Sequence, residues 1–243
     1  MNARAPNRAQ RWWLRYWNTM RRYHRYSVRG FEHLEGDRPV LIVGYHGKPI
    51  AHDLCMLQCL MWERLGYLGH PIFHAGFEEL RLKQVLDDLG FLVADGPELQ
   101  QALDRGEHVI VTPGGTREGC RSSRHRHQVH WGRRTGYLRL ALKYGLDVVP
   151  VGAWGVDHTY LGLNDGDATS RRLGVPAGIP VWLGLGPLGV WPVSPPFPVR
   201  FRQVIGAPIA LPDTDPQDRE ALLALHGRVT GQVQTLIEEA RHV

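Results

Sequence analysis

Cysteine is scarce in this sequence: Cys55, Cys59 and Cys120 are the only three among 243 residues. That excludes a disulfide scaffold and points to a reducing compartment, the cytoplasm. Cys55 and Cys59 stand four apart with no second pair behind them, the spacing of a buried helix face rather than of a zinc site. Acid is missing from residues 1–30, which carry eight arginines: Arg4, Arg8, Arg11, Arg15, Arg21, Arg22, Arg25 and Arg29. The other 213 residues hold 21 Lys and Arg against 24 Asp and Glu, a net of −3. A near-neutral domain behind a basic arm is not the pattern of a dedicated nucleic-acid binder. No Gly-x-Ser-x-Gly elbow and no Gly-Lys-Ser/Thr phosphate loop is present.

A long apolar helix is also missing. Ile179 to Val199 is uncharged over 21 residues, but six prolines and three glycines interrupt it. It cannot form a continuous spanning helix, so no transmembrane helix is expected. Its Trp182, Leu183, Leu185, Leu188, Trp191 and Phe197 leave two readings. One is a core-packed connection. The other is a surface that touches lipid or covers an acyl chain.

What is present begins with aromatics in the arm. Trp13, Tyr16, Trp17 and Met20 follow helical i, i+3, i+4, i+7 spacing, with Arg11, Arg15, Arg22 and Arg25 largely elsewhere. Trp and Tyr favour a water–lipid boundary and arginines pair with anionic headgroups, so residues 1–30 are expected as a membrane-interfacial helix preceding a domain over 31–243. The competing reading is a helix docked on its own domain through its tryptophans. Arginines interrupt every candidate signal-peptide core, so no secretory signal is expected.

Behind the arm, β-type runs alternate with helical patterns. Strands are expected at Pro39–Tyr45, Pro71–His74, Phe91–Ala94, His108–Thr112, Asp147–Val151 and Val199–Ile205. Helices are expected at Asp53–Arg64 (Asp53 as N-cap), Glu78–Leu89, Pro97–Arg105, Arg134–Tyr144 and Asp218–Arg241. This order predicts an α/β fold: a single domain with a largely parallel or mixed central sheet flanked by helices.

Two stretches carry chemistry. His46 follows a buried strand in Tyr45-His46-Gly47-Lys48-Pro49-Ile50-Ala51-His52-Asp53. Ligands bind at the C-terminal ends of strands in open α/β sheets. A carboxylate on one imidazole nitrogen fixes the tautomer, and the other nitrogen accepts a proton from a hydroxyl. Taken alone, a histidine at a strand end is weak evidence. Thr112-Pro113-Gly114-Gly115-Thr116-Arg117 is a strand end, a Gly-rich turn, a hydroxyl and a guanidinium, a set suited to phosphate or carboxylate. Arg121–Arg134 adds five arginines and three histidines. It reads as a solvated basic loop or as a landing site for donor phosphates or anionic lipid. Arginines among the histidines argue against a metal site.

Together the two stretches resemble the first and third blocks of the glycerolipid acyltransferase (PlsC-like) superfamily, His-x4-Asp and Pro-Glu-Gly-Thr-Arg. Val148–Val151 resembles its fourth. Trp131–Tyr137, Phe197–Arg200 and Gly206–Ile209 resemble the diacylglycerol-acyltransferase-like branch, with its Tyr-His-Gly and Pro-Gly-Gly versions. The resemblance runs from about Gly30 to the C-terminus.

It implies a glycerol-3-phosphate-acyltransferase-like fold and O-acyl transfer from acyl-CoA or acyl carrier protein to a lipid hydroxyl. His46 is then the base, Asp53 its support, and Gly114, Gly115, Thr116, Arg117, Arg133 and Arg134 the substrate-binding set. It implies no cofactor and no metal. Its partners are a lipid acceptor, an acyl thioester and the inner face of a membrane, with no nucleic acid.

Three departures stand out. Six residues rather than four separate His46 from Asp53. Gly114 replaces the family glutamate, with Glu118 following the arginine instead. Gly90–Asp95, at the second block, lacks the arginine that takes an acceptor's phosphate. Asp95 would repel a phosphate dianion, which favours a neutral acceptor over lysophosphatidic acid. Arg117, Arg133 or Arg134 could supply the missing positive charge from elsewhere, so lysophosphatidic acid as acceptor stays a competing reading, with water as acceptor and lipid binding without turnover.

Overall fold

The computed structural model describes residues 5–73, 83–94, 96–176 and 179–243. Arg4, His74, residues 78–82 of the helix expected at Glu78–Leu89, and Asp95 lie outside them.

Ten strands are described: β1 Ser27–Arg29, β2 Val40–Gly44, β3 His70–Phe73, β4 Leu92–Val93, β5 Val109–Val111, β6 Asp147–Trp154, β7 Leu161–Gly162, β8 Gly184–Gly186, β9 Gly189–Val190 and β10 Arg202–Ile205. The described α-helices are α1 Arg8–Tyr23, α2 His52–Leu65, α3 Lys83–Asp88, α4 Pro97–Asp104, α5 Gly115–Gly119, α6 Gly136–Tyr144, α7 Gly166–Arg172 and α8 Arg219–Ala240. The main sheet runs β1-β10-β6-β2-β5-β3-β4. β6, β2, β5, β3 and β4 are mutually parallel, β10 is antiparallel to β6, and β1 is parallel to β10.

β2 (VLIVG) is buried along its whole length, as a central parallel strand must be. Its side chains alternate between two clusters. Leu41 and Val43 join Leu138, Val229, Val233 and Ile237 of α6 and α8. Val40 and Ile42 join Leu54, Leu57, Leu60 and Met61 of α2. That is the expected α/β layering, with helices on both faces of the sheet. Cys55 and Cys59 are buried free thiols on α2.

The arm is built into the domain. Asn7 and Gln10 form a capping box at the start of α1. Trp17 is 3% exposed and lies in the core, with Trp13 and Met20 packed against it. β1 extends the main sheet. Of the face expected to meet lipid, Trp13, Trp17 and Met20 are therefore docked on the domain, and Tyr16 is not. A second stripe of α1, Trp12, Tyr16 and Tyr23, is left exposed. No helix among the described residues is long and apolar enough to cross a membrane.

The Ile179–Val199 stretch contributes β8 and β9 to a separate three-stranded sheet, order β7-β8-β9. Neither this sheet nor α7 was expected from periodicity, because strands of two or three residues present no usable pattern.

Candidate active site

β2 and β5 are parallel neighbours, with Val43 opposite Val111. The loops that follow them therefore leave the same edge of the sheet side by side. His46 stands on the first and Gly114–Glu118 on the second. β6 flanks β2 on its other side and delivers Asp157 to the same edge.

His46 is half-buried. Its Nδ1 lies 2.9 Å from the Gly47 carbonyl oxygen, an acceptor that calls for a proton on Nδ1. Nε2 takes no hydrogen bond among the described residues, so it is the nitrogen left to accept a proton. Burial pushes the His46 pKa down, opposed by the Gly47 carbonyl and by the charge of Asp157. Burial thus favours the neutral imidazole, the state a base requires. The ring lies over Gly119: a Cβ there would sit 2.6 Å from His46 Nδ1 and 2.8 Å from the Pro49 carbonyl oxygen.

Asp53 is not the N-cap of α2; Ala51 is, and Asp53 lies within the first turn. Its Oδ2 accepts from Gln203 Nε2 of β10 at 3.1 Å, and its buried Oδ1 has no hydrogen-bond partner among the described residues. No hydrogen bond joins Asp53 to His46 among the described residues. Burial pushes the Asp53 pKa up to about 7, despite hydrogen bonds from nearby backbone N–H groups and Gln203. The longer His46–Asp53 spacing is taken up by a loop fixed to the core. Lys48 is fully buried. Its Nζ donates to Ser123 Oγ at 3.0 Å, and Thr159 Oγ1 donates to the Lys48 carbonyl at 2.7 Å. His52, next to Asp53, packs edge-on to Trp17 and Phe201, and burial lowers its pKa to about 4.

The Gly-rich stretch is a short helix rather than an open turn. Gly115 N–H donates to the Thr112 carbonyl at 2.9 Å. Arg134 Nη1 donates to the carbonyls of Pro113 (3.0 Å) and Gly114 (2.7 Å). Thr116 and Arg117 are exposed, and Arg117 Nε lies 3.7 Å from Asp167 Oδ2. Arg133 is exposed. Cavities of about 510 and 440 Å³ border α1 rather than this edge.

Four residues that sequence reasoning did not place in the site hold it together. The Glu118 carboxylate is buried and accepts from His46 N–H (2.8 Å), His130 N–H (2.7 Å) and Trp131 Nε1–H (3.1 Å). Burial raises its pKa to about 8, against those three donors. Arg121 is buried too, not solvated with the rest of its basic loop. It donates to the carbonyls of His46 (3.1 Å) and Glu118, to the Tyr45 hydroxyl, and to Asp157. Asp157 also accepts from Tyr45 and from His127 N–H at 2.7 Å. Three loops after three strands are thus tied into one buried polar network around His46. The available signal was a set of charged residues just past strand ends, but nothing in their spacing distinguishes a buried arginine from its solvated neighbours.

Residues 71–243 match the family model described as Diacylglycerol acyltransferase. The chain belongs to that family. His46 and Asp53 precede the matched span. Among curated relatives, a Gallus gallus "DGAT1/2-independent enzyme synthesizing storage lipids" is 26% identical over 226 residues, 89% of this chain and 64% of that protein. "Phytyl ester synthase 2, chloroplastic" of Arabidopsis thaliana is 27% identical over 235 residues, 87% of this chain and 33% of that protein. The chain thus spans less than two thirds of either relative. Among solved structures, the 1-acyl-sn-glycerophosphate (LPA) acyltransferase PlsC from Thermotoga maritima superposes with a TM-score of 0.54 at 20% identity, covering 95% of this chain and 79% of that one. The α/β fold expected from the sequence is the PlsC fold.

Proposed function

We propose that this protein is an O-acyltransferase that moves a fatty acyl group from a thioester, acyl-CoA or acyl carrier protein, to the hydroxyl of a neutral lipid alcohol. The observation that carries the reading is the placement of His46: at the strand edge, with Nδ1 directed to the Gly47 carbonyl and Nε2 without a hydrogen bond among the described residues. Nε2 takes the acceptor's hydroxyl proton as the oxygen attacks the thioester carbonyl. The tetrahedral intermediate collapses, the acyl–oxygen ester forms, and the carbon–sulfur bond breaks to release thiol. The imidazolium returns its proton to the leaving thiolate. No acyl-enzyme is required.

Gly47 fixes the tautomer and the buried Asp157 supplies the negative field. Asp53 is the supporting carboxylate, with its unpartnered Oδ1 as the acceptor it offers. An N–H of the Gly114–Thr116 turn other than that of Gly115 faces the oxyanion. Thr116, Arg117 and Arg133 meet the donor's phosphates, while Arg134 braces the turn. Arg134 is engaged by two carbonyls, and Arg117 and Arg133 are assigned to the donor, in keeping with a neutral acceptor. The relatives' printed names, storage-lipid and phytyl-ester synthesis, also fit one. The enzyme works peripherally on the inner face of a membrane, without metal or cofactor; its buried thiols suit a reducing compartment.

Purified protein with long-chain acyl-CoA, offered diacylglycerol, a long-chain alcohol or lysophosphatidic acid, tests the reading by mass spectrometry of products. Triacylglycerol or wax ester is expected. Phosphatidic acid alone would contradict the neutral-acceptor assignment, and free fatty acid without any ester would make the protein a hydrolase.

A further inference from the structure

The sheet β7-β8-β9 has its polarity reversed. A sheet with one solvated face ordinarily turns polar residues outward. Here Leu161-Gly162-Leu163 and Leu183-Gly184-Leu185-Gly186 alternate aliphatic with glycine. Gly162 and Gly184 are buried, and Gly162 abuts the Arg121 carbonyl and the Trp182 ring, where a Cβ would meet atoms at 2.5 and 3.0 Å. The aliphatic residues are therefore turned out. Leu161 pairs with Leu185, and Leu185 with Val190, so these share a face. Leu163 is 51% exposed and Leu183 45%.

Beyond them the β8–β9 turn projects Leu188 at 81% exposure, and the turn after β9 projects Val193 at 87%. Both turns are held in place. Ser194 Oγ accepts from Leu188 N–H at 3.0 Å, Ser194 N–H donates to the Val190 carbonyl at 2.9 Å, and Tyr160 donates to the Ser194 carbonyl at 2.9 Å. The exposure belongs to the fold and not to a loose end.

We infer that this face docks on a lipid bilayer, with Leu188 and Val193 entering the acyl region. The charge pattern selects lipid as the occupant. No charged residue occurs from Leu173 to Val199, while arginines stand at the borders. Arg172 closes α7 beside Leu173, and α1 brings Arg8, Arg11 and Arg15 around the exposed Trp12, with Arg15 stacked on its ring at 5.8 Å. The C-terminal end of α1 joins this region, Tyr23 donating to the Pro196 carbonyl at 2.8 Å. An aliphatic centre with an Arg and aromatic border matches hydrocarbon beneath anionic headgroups. The inference rests on the proposed lipid substrates only in its purpose, which is to bring the enzyme to where such substrates reside.

The test is cosedimentation of the full chain with vesicles of phosphatidylcholine and phosphatidylglycerol, comparing wild type with Leu188→Asp/Val193→Asp. Both positions are on the surface, so melting temperature is expected to hold. Vesicle binding is expected to fall about tenfold or more, from the loss of two buried aliphatic side chains. Arg8→Gln/Arg11→Gln/Arg15→Gln is expected to weaken binding to anionic vesicles only. Undiminished binding by the aspartate variant overturns the inference. So does a wild-type dimer that this variant converts to monomer with vesicle binding intact, since a second copy would then cover the face. Binding is read without turnover, so loss of the acyltransferase reading alone would leave this result standing.

Discussion

The carboxylate of Glu118 fills the space into which a side chain at Gly114 would grow: a Cβ at position 114 would lie 2.3 Å from Glu118 Oε2. The acid that the family pattern places before Gly-Thr-Arg is absent, and a later acid turns back into the vacated space. From there it receives the N–H of His46. Gly114→Ala is expected to push Glu118 off its three donors and destabilise the protein by about 1–3 kcal/mol. Urea unfolding measures this. An unchanged midpoint would show that the space is not shared.

The His46 pKa is lowered by burial. A base works only when deprotonated, so activity is retained as pH falls through 6.5, the ordinary histidine value, and is lost below it. The acid limb of kcat/KM should therefore have its midpoint under pH 6.5. A midpoint near 7 would mean that the Asp53 carboxyl, not His46, sets the limb.

Asp53 has a folded-state pKa raised to about 7. A carboxyl group with a raised pKa stabilises the fold most at low pH, below its unfolded value near 4, and that contribution is lost as pH rises through the folded pKa. Asp53→Asn removes the cost of the buried charge. Its melting temperature should exceed the wild type's at pH 8, with the gap closing at pH 4. In the same variant kcat should fall while KM holds. Undiminished kcat would mean that Asp53 does not support His46.

Arg121 and Asp157 form a buried ion pair, 2.5 Å apart and each 3% exposed or less. Removing one member leaves the other charged and alone. Arg121→Met should cost about 3–5 kcal/mol, with Arg121→Met/Asp157→Leu less destabilised than the single variant. Thermal melts of the three proteins check this. A double variant worse than the single would mean that the pair contributes net stability.

The sheet was legible because β2, β5 and β6 are apolar runs bounded by turns and separated by amphipathic helices. The two loops carrying His46 and Gly114–Arg117 were legible because each directly follows such a run, and parallel neighbours must bring those loops together. The fate of the arm was not: Trp13 and Trp17 suit a lipid boundary and a protein core equally, and only the packing of Trp17 beside His52 decides between them. The basic loop failed for a similar reason. Arg121 differs from Arg124 and Arg126 only in facing Asp157, a residue 36 positions away. The reversed polarity of β7–β9 was hidden because an outward Leu and an inward Gly alternate as an ordinary strand does, with the faces exchanged.

The central claim is that His46 is the base for acyl transfer. It is tested most directly by acyl-CoA turnover onto diacylglycerol or a long-chain alcohol by wild type and His46→Ala, with circular dichroism to show that both are folded. The account predicts ester formation by wild type and a loss on the order of 10²–10⁴ in kcat for the variant. A folded His46→Ala protein that transfers acyl groups at the wild-type rate would contradict it.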